Sequence, residues 1–371
     1  MSRLPVVAMC GAMLLAAAHA QEPKDDVAAL IARLGSDDAQ ARAEAARALR
    51  GMGASAVPAL VTALEDRDWR VRKNVAELLG RIGPVAAEAA PALVPTLRDW
   101  DLRVRAAAEA GLRGIGPAGV LALIAALEHR DRWTRAFAAR ALSRMGPTAR
   151  EAVPALIGAL EQEHDVRVCA ADALGEIGPA AKTAVPALRV ALMHRDWVAR
   201  SSASDALARI GPAAVPALIG ALEEKDKQVQ AFAALALGRI GPAAAPAVPA
   251  LIAFLGDKDS RVRNSAAEAL GGIGPAARDA VTALIAALGD EDLRVRMRAA
   301  SALGWIGPAA KAAVPALVTL LSETDDVGEC AVFALGRIGP DAREAIPTLE
   351  ALAGDGVRSA AFALLCIRGE Q

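Results

Sequence analysis

The chain has 371 residues, 54% of them hydrophobic and only 3% aromatic, with no tyrosine and a formal net charge of −1. So balanced a charge gives no large-scale attraction to nucleic acid, and so few aromatic rings leave little material for a tetrapyrrole pocket. A chain of this length ordinarily divides into two or more domains, but a continuous repeat overrides that expectation and no linker interrupts it.

Residues 1–20 read as a secretory leader. Arg3 gives the positive start, residues 4–18 are apolar, and Ala18-His19-Ala20 is a small-x-small cleavage site before Gln21. Cys10 follows Val7-Ala8-Met9, which is no lipobox. No later stretch approaches the ~20 apolar residues that span a bilayer. The expectation is an exported chain, periplasmic or extracellular, without membrane insertion after cleavage, whose residues 21–371 form one solenoid.

From residue 27 one unit recurs. Its first copy, 27–53, is polar for its kind, with Arg42, Glu44, Arg47 and Arg50 on its second helix, as suits an end cap facing water. The clearest copy is VPALIAFLGDK at 248–258 followed by DSRVRNSAAEALGGIGP at 259–275. Val262, Ala266, Leu270 and Ile273 recur at steps of four, four and three, one face of an α-helix. Asp259 stands where a carboxylate caps free N–H groups, and Gly274 closes the helix in a left-handed conformation. Val248-Pro249 opens the partner helix, since proline is tolerated in a first turn. Ala266, Ala267 and Ala269 leave little side chain between helices, whose axes then approach to about 8–10 Å.

The closing glycines are Gly53, Gly83, Gly116, Gly146, Gly178, Gly211, Gly241, Gly274, Gly307 and Gly339, with Gly369 ending a shortened eleventh copy. Long copies read GPAAKTAVPAL (178–188) and short ones GPAAVPAL (211–218). The extra three residues are nearly one turn at ~3.6 residues per turn, so register survives.

Within the copies, Trp69, Trp100, Trp133 and Trp197 fall at the same interhelical turn, interleaved with arginines, and Trp and Arg are the residues of binding hot spots. His129, His164 and His194 occupy the same region, but His129 and His194 are two repeats apart and cannot share a metal whose ligands sit at ~2 Å. Cys169, Cys330 and Cys366 are odd in number, Cys169 and Cys330 lie five repeats apart, and Cys330 and Cys366 are in adjacent repeats at different helical offsets, which predicts free thiols. In the tenth copy Thr324 and Gly328 replace the usual Asp and Arg, marking a weak joint. The last helix carries Phe362, Leu364, Leu365 and Ile367, which either turn inward or pair two chains as a weak homodimer.

The VPAL openings and the DxxVRxxAAxALGxIGP blocks resemble the HEAT repeat, most closely its phycobilisome-lyase-like short form, over residues 27–371. The resemblance implies an all-α, right-handed α-α superhelix of the HEAT-like, armadillo-type class, with about eleven two-helix repeats. It implies a ladder between repeats at Asp68/Arg72, Asp101/Arg105, Asp131/Arg135, Asp196/Arg200, Asp259/Arg263 and Asp292/Arg296, pairs whose four-residue spacing also suits an intrahelical ion pair. It implies that the second helices line a concave face. Helical spacing puts Phe137, Arg140, Arg144, Phe232, Arg239, Trp305, Phe333 and Arg337 outward on them. That mixture suits a protein or peptide partner better than a polyanion.

The function expected is therefore a non-enzymatic scaffold without cofactor or metal. The competing class is a HEAT-repeat enzyme of the bilin lyase or deoxyhypusine-hydroxylase type. The hydroxylase binds iron through His-Glu pairs, and this chain has no His followed by Glu. No nucleophile–base arrangement or phosphate-cradling loop stands out either.

Overall fold

The computed structural model describes residues 26–322 and 326–369. The leader at 1–20, with Cys10, and Thr324 of the tenth copy lie outside the described residues. Among those described there is no strand, and the α-helices come in eleven consecutive pairs. In chain order they are α1 (Val27–Arg33) and α2 (Ala39–Met52), α3 (Val57–Ala63) and α4 (Trp69–Ile82), α5 (Ala90–Thr96) and α6 (Leu102–Ile115), then α7 (Pro117–Ala126) and α8 (Arg132–Met145). These are followed by α9 (Val153–Ala159) and α10 (His164–Ile177), α11 (Val185–Leu192) and α12 (Trp197–Ile210), α13 (Val215–Leu222) and α14 (Lys227–Ile240). The remaining pairs are α15 (Val248–Phe254) and α16 (Ser260–Ile273), α17 (Val281–Ala287) and α18 (Leu293–Ile306), α19 (Val314–Leu320) and α20 (Asp326–Ile338), and α21 (Ile346–Gly354) and α22 (Arg358–Arg368).

The described residues fall into two compact units, divided between Ala138 and Ala139. In the first, α4 lies along α6; in the second, α10 lies along α12, α14 along α16 and α18 along α20. The leucine of each VPAL opening, or of its APAL (90–93) and VTAL (281–284) variants, is the fixed point of the core. Leu60 and Leu93 in the first unit, and Leu156, Leu188, Leu218, Leu251, Leu284 and Leu317 in the second, are wholly buried. Each such leucine stabilises its unit by about 2 kcal/mol relative to an exposed one. Val262, Ala266, Leu270 and Ile273, the stripe read from the sequence, are likewise wholly buried.

The corner after each second helix differs from the expected left-handed cap. Gly274 has φ 68° and ψ −139°, a combination essentially closed to residues with a Cβ, whereas Gly369 takes the left-handed helical value, φ 73° and ψ 23°. The Gly-Pro step does not simply stop the chain either. At most corners it opens a 3₁₀ segment, four residues long in short copies such as Gly211–Ala214 and seven in long ones such as Gly178–Ala184, while after Gly116 an α-helix begins directly at Pro117. The long segment is kinked at its fourth residue, Ala181 having φ −88° and ψ 18°, so the three extra residues form a bend in the corner and not a trimmed α-turn.

Among the described residues, length and composition alone give three helical runs long and apolar enough to cross a membrane, Trp197–Leu222, Lys227–Phe254 and Leu293–Leu320, which corrects the expectation of none. Each contains a corner glycine, Gly211, Gly241 or Gly307, at φ 83°, 78° or 76°. The longest uninterrupted helix in each is therefore 14 residues, or ~21 Å against the ~30 Å of a hydrocarbon core.

The glycines also do more than cap. A Cβ on Gly80 would stand 2.8 Å from the Gly111 Cα, and one on Gly238 2.6 Å from the Ala269 Cα, so α4 and α6, and α14 and α16, touch through backbone. Cys169, Cys330 and Cys366 are unbonded and half-buried. On α22, Leu364 and Ile367 turn inward while Phe362 and Leu365 are exposed.

Candidate functional site

The expected ladder is laid out differently from a run of intrahelical pairs. Asp68, Asp101, Asp259 and Asp292 each accept a backbone N–H in the first turn of the helix they precede, at 2.8–2.9 Å. Asp131 accepts from the Thr134 N–H and Asp196 from the Ala199 N–H. With its carboxylate facing those donors, Asp68 or Asp259 is not the partner of the arginine four residues on. Arg72 instead threads back under its own turn to the carbonyls of Asp66 and Arg67, and forms a two-pronged pair with Asp99 of the next repeat at 2.6 and 3.0 Å. Arg263 does the same with Asp257, Lys258 and Asp290. Arg105, Arg135 and Arg296 likewise donate to the carbonyls of Asp99, His129 and Asp290.

The residues missed by sequence were thus Asp99 and Asp290. Their signal was present: each stands two before a capping aspartate, whose N–H it accepts at 2.9 and 2.8 Å. Asp99 and Arg72 side chains are each 8% exposed, and their hydrogen bond holds the Arg72 guanidinium above its ordinary pKa. Hydrogen bonds from Arg103 and Arg261 hold the Asp101 and Asp259 carboxyls down to about 2.

One rung of the second unit is different. His194 replaces the aspartate, and its Nε2 lies 3.1 Å from Arg167 Nη1 while its Nδ1 faces the Asp196 N–H at 3.1 Å. A neutral imidazole accepts at only one nitrogen, so one of these donors is unmatched, and a protonated ring accepts from neither. Burial first, then the Arg167 charge, lowers the His194 pKa; His164 and Arg200 add to that, and Asp196 opposes it. Arg200 of the same rung reaches Asp226 and Gln228 of the next repeat, both at 2.9 Å.

The tryptophans stand at or beside the starts of the second helices. In the first unit, Trp69 is half-buried with the Arg103 guanidinium 3.3 Å from its ring centre and Arg70 at 5.3 Å. Trp100 is 75% exposed with Arg72 at 5.6 Å, and Trp133 is exposed beside Arg132 at 4.7 Å. Neighbouring repeats are therefore stitched by reciprocal Trp–Arg contacts, Trp69 to Arg103 and Trp100 to Arg72, each a cation over an aromatic face. In the second unit, Trp197 meets Phe232 with ring centres 6.1 Å apart, and both line a cleft of about 280 Å³ with Leu235, Lys227 and Arg261. Lys227 and Arg261 are ion-paired there to Asp257 and Asp259 at 2.6 Å. Trp305 meets Phe333 at 5.4 Å under Arg337 at 4.9 Å.

Phe137, Arg140 and Arg144 all lie on α8, half-buried, half-buried and exposed. Arg239 pairs with Asp205 of the preceding repeat. The structure thus joins Trp197 to Phe232 and Trp305 to Phe333, two pairs the sequence had not linked. Among the described residues no group of three or more His, Cys, Asp or Glu side chains is placed to hold a metal ion.

A family model described as HEAT repeats matches residues 27–113, 120–208, 215–281, 248–328 and 283–366. Among solved structures, the chain is similar to a Kap121p mutant (TM-score 0.63, 16% identity, 97% of this chain and 47% of that one). It is similar to the karyopherin Kap121p bound to the extreme C-terminus of the protein phosphatase Cdc14p (TM-score 0.61, 15% identity, 99% and 48%). It is also similar to importin beta in an ammonium sulfate condition (TM-score 0.56, 15% identity, 98% and 60%). At these identities the likeness is one of fold, an all-α solenoid, and the chain spans roughly half to three-fifths of the length of those proteins. No curated protein is matched by the sequence.

Proposed function

The chain belongs to the HEAT repeat family, and from that premise we propose that it is a non-enzymatic scaffold that binds a polypeptide partner. The observation carrying this is the set of exposed indoles, Trp100 at 75%, Trp197 at 62% and Trp305 at 50%, each beside an arginine or a second ring. A wholly structural indole hides its area, whereas an exposed one held by a neighbour is a preorganised anchor. A karyopherin of similar fold is seen with the C-terminus of another protein, and a polypeptide segment is the kind of partner proposed here.

The VPAL openings support assignment to the phycobilisome-lyase-like short form. The leader at 1–20 supports export, which N-terminal sequencing of secreted protein tests: a start at Gln21 is expected. Exposed Phe362 and Leu365 support a weak homodimer through the last repeat, and a monomer at high concentration in the ultracentrifuge would remove it.

The test of the scaffold itself is capture of partners from the exporting organism, followed by calorimetry. The triple variant Trp69→Ala, Trp100→Ala, Trp133→Ala should bind at least about tenfold more weakly with unchanged helicity. Unchanged affinity in that variant and in Trp197→Ala and Trp305→Ala, or stoichiometric iron or pigment in the purified protein, would overturn the reading.

A further inference from the structure

The second helices of the first three repeats carry a charge that the chain as a whole does not. α2, α4 and α6 hold ten Lys or Arg and three Glu, in a chain of net charge −1. Six of those cations are engaged: Arg42, Arg72 and Arg105 hold turn carbonyls, Arg70 and Arg103 flank Trp69, and Lys73 pairs with Glu77 at 2.7 Å. Arg47, Arg50, Arg81 and Arg113 remain, all exposed, Arg47 donating through Nε only to the Ala43 carbonyl of its own helix at 3.4 Å. Arg81 comes only to 4.0 Å from Glu77, and the described ion pairs of this unit do not include Arg47, Arg50 or Arg113.

Three of the four converge. Arg47 and Arg50 on α2 and Arg81 on α4 line one cleft of about 160 Å³ whose apolar wall is Ala43, Ala46 and Leu78. Arg113 stands on α6, whose Gly111 and Gly114 lie against Gly80, the neighbour of Arg81. A helix dipole favours one cation in a last turn, which accounts for Arg50, Arg81 and Arg113 singly. It does not account for Arg47, nor for two helices turning arginines into one cleft. In the second unit the second helices neutralise one another instead, through Glu176–Arg209, Asp205–Arg239 and Glu268–Arg298.

We propose that this face of the first three repeats docks an acidic segment of a partner polypeptide, its carboxylates on Arg47, Arg50, Arg81 and Arg113 and a small apolar side chain on the Ala43–Ala46–Leu78 wall. The proposal rests on the protein-binding reading above and gives the partner's chemistry. Guanidinium forks match carboxylates two prongs at a time. The wall favours a peptide over a nucleic acid, because it offers no ring on which a base could stack.

The test titrates the full chain into a labelled peptide of repeated Glu-Leu-Asp triplets, followed by anisotropy. Saturable binding is expected, falling as salt rises and at least about tenfold weaker for Arg47→Glu, Arg50→Glu, Arg81→Glu combined. The milder Arg→Gln set should weaken it in the same direction with unchanged circular dichroism. Serine for leucine in the peptide should also weaken it, while Arg209→Glu with Arg239→Glu should not. Equal binding by the triple variant, or tighter binding of single-stranded DNA or of phosphatidylserine vesicles through the same arginines, overturns the proposal. A partner lost on tryptophan substitution but indifferent to these arginines overturns it while leaving the scaffold; absence of any partner overturns both.

Discussion

At the scale of single residues, the joints between repeats are charged and dry. Arg72–Asp99 and Arg263–Asp290 are hydrogen-bonded on both prongs with at most about a tenth of each side chain exposed. Removing one partner of such a pair strands the other, so Arg72→Ala should destabilise the protein by roughly 3–5 kcal/mol, read as a lower urea midpoint. Replacing both partners by apolar residues should cost far less, and an equal cost for both designs would contradict this account. The acid side follows from the caps. Asp101 and Asp259 titrate below the ordinary carboxylate range. Their contribution is complete above about pH 4 and is lost as pH falls towards 2. His194 acts earlier. Its folded pKa is lowered, so the unfolded chain takes the proton first and stability declines as pH drops through about 6.5. His194→Asp restores the acceptor found at Asp99 and Asp290, and should flatten the urea midpoint between about pH 7 and 5; an unaltered pH profile would remove the histidine rung from the explanation. The sequence showed the capping aspartates and the arginines of a ladder between repeats, but the four-residue spacing also suggested an intrahelical pair, and it could not reveal that Arg72 reaches Asp99 of the next repeat.

At the scale of elements, the helices were legible because their apolar period and their caps agree, and the stripe from Val262 to Ile273 is buried as spacing implied. The corner was less legible. A Gly-Pro pair signals a break, but the 3₁₀ segment beyond it is local geometry that alanine-rich sequence does not distinguish from an α-turn. The interior glycines were legible only as caps, since close backbone approach depends on a neighbour far along the chain. That distinction can be measured. Gly238→Ala drives a methyl to 2.6 Å from the Ala269 Cα and should destabilise by about 1–3 kcal/mol. Gly220→Ala, in α13 with nothing within 4 Å, should stabilise by about 0.5–1 kcal/mol. Thermal unfolding of the two variants decides it: shifts of the same sign would mean that the contact between α14 and α16 is not what holds Gly238 small.

At the scale of the whole molecule, each repeat touches its neighbours and little else, so stability is close to a sum of repeats and joints. Such an array opens first where a joint is poorest. α20 carries Gly328 in its first turn, where most other second helices place the rung arginine and α14 places Gln230, so no side chain from that position holds the turn there. Amide exchange in α20 should therefore outpace that in α14, α16 and α18; equal protection would show that the buried Val327, Ala331 and Leu335 suffice without the rung. The architecture was readable from one sequence because the repeat is written many times. The candidate surface was readable only in part. Trp69, Trp100, Trp133 and Trp197 were visible as a class, but which ring meets which partner depends on placement across repeats, as Trp197 with Phe232 shows.

The two lengths of corner segment, four residues in Gly211–Ala214 and seven in Gly178–Ala184, have a genetic meaning. An in-frame gain or loss of three codons there lengthens or shortens the kinked corner, and the VPAL leucine beyond it, Leu188 after the long form and Leu218 after the short, is wholly buried in both. Duplications and deletions in this gene can accumulate at the corners without scrambling the repeats beyond them, and any change by one or two codons should be met by a phase error in every wall downstream.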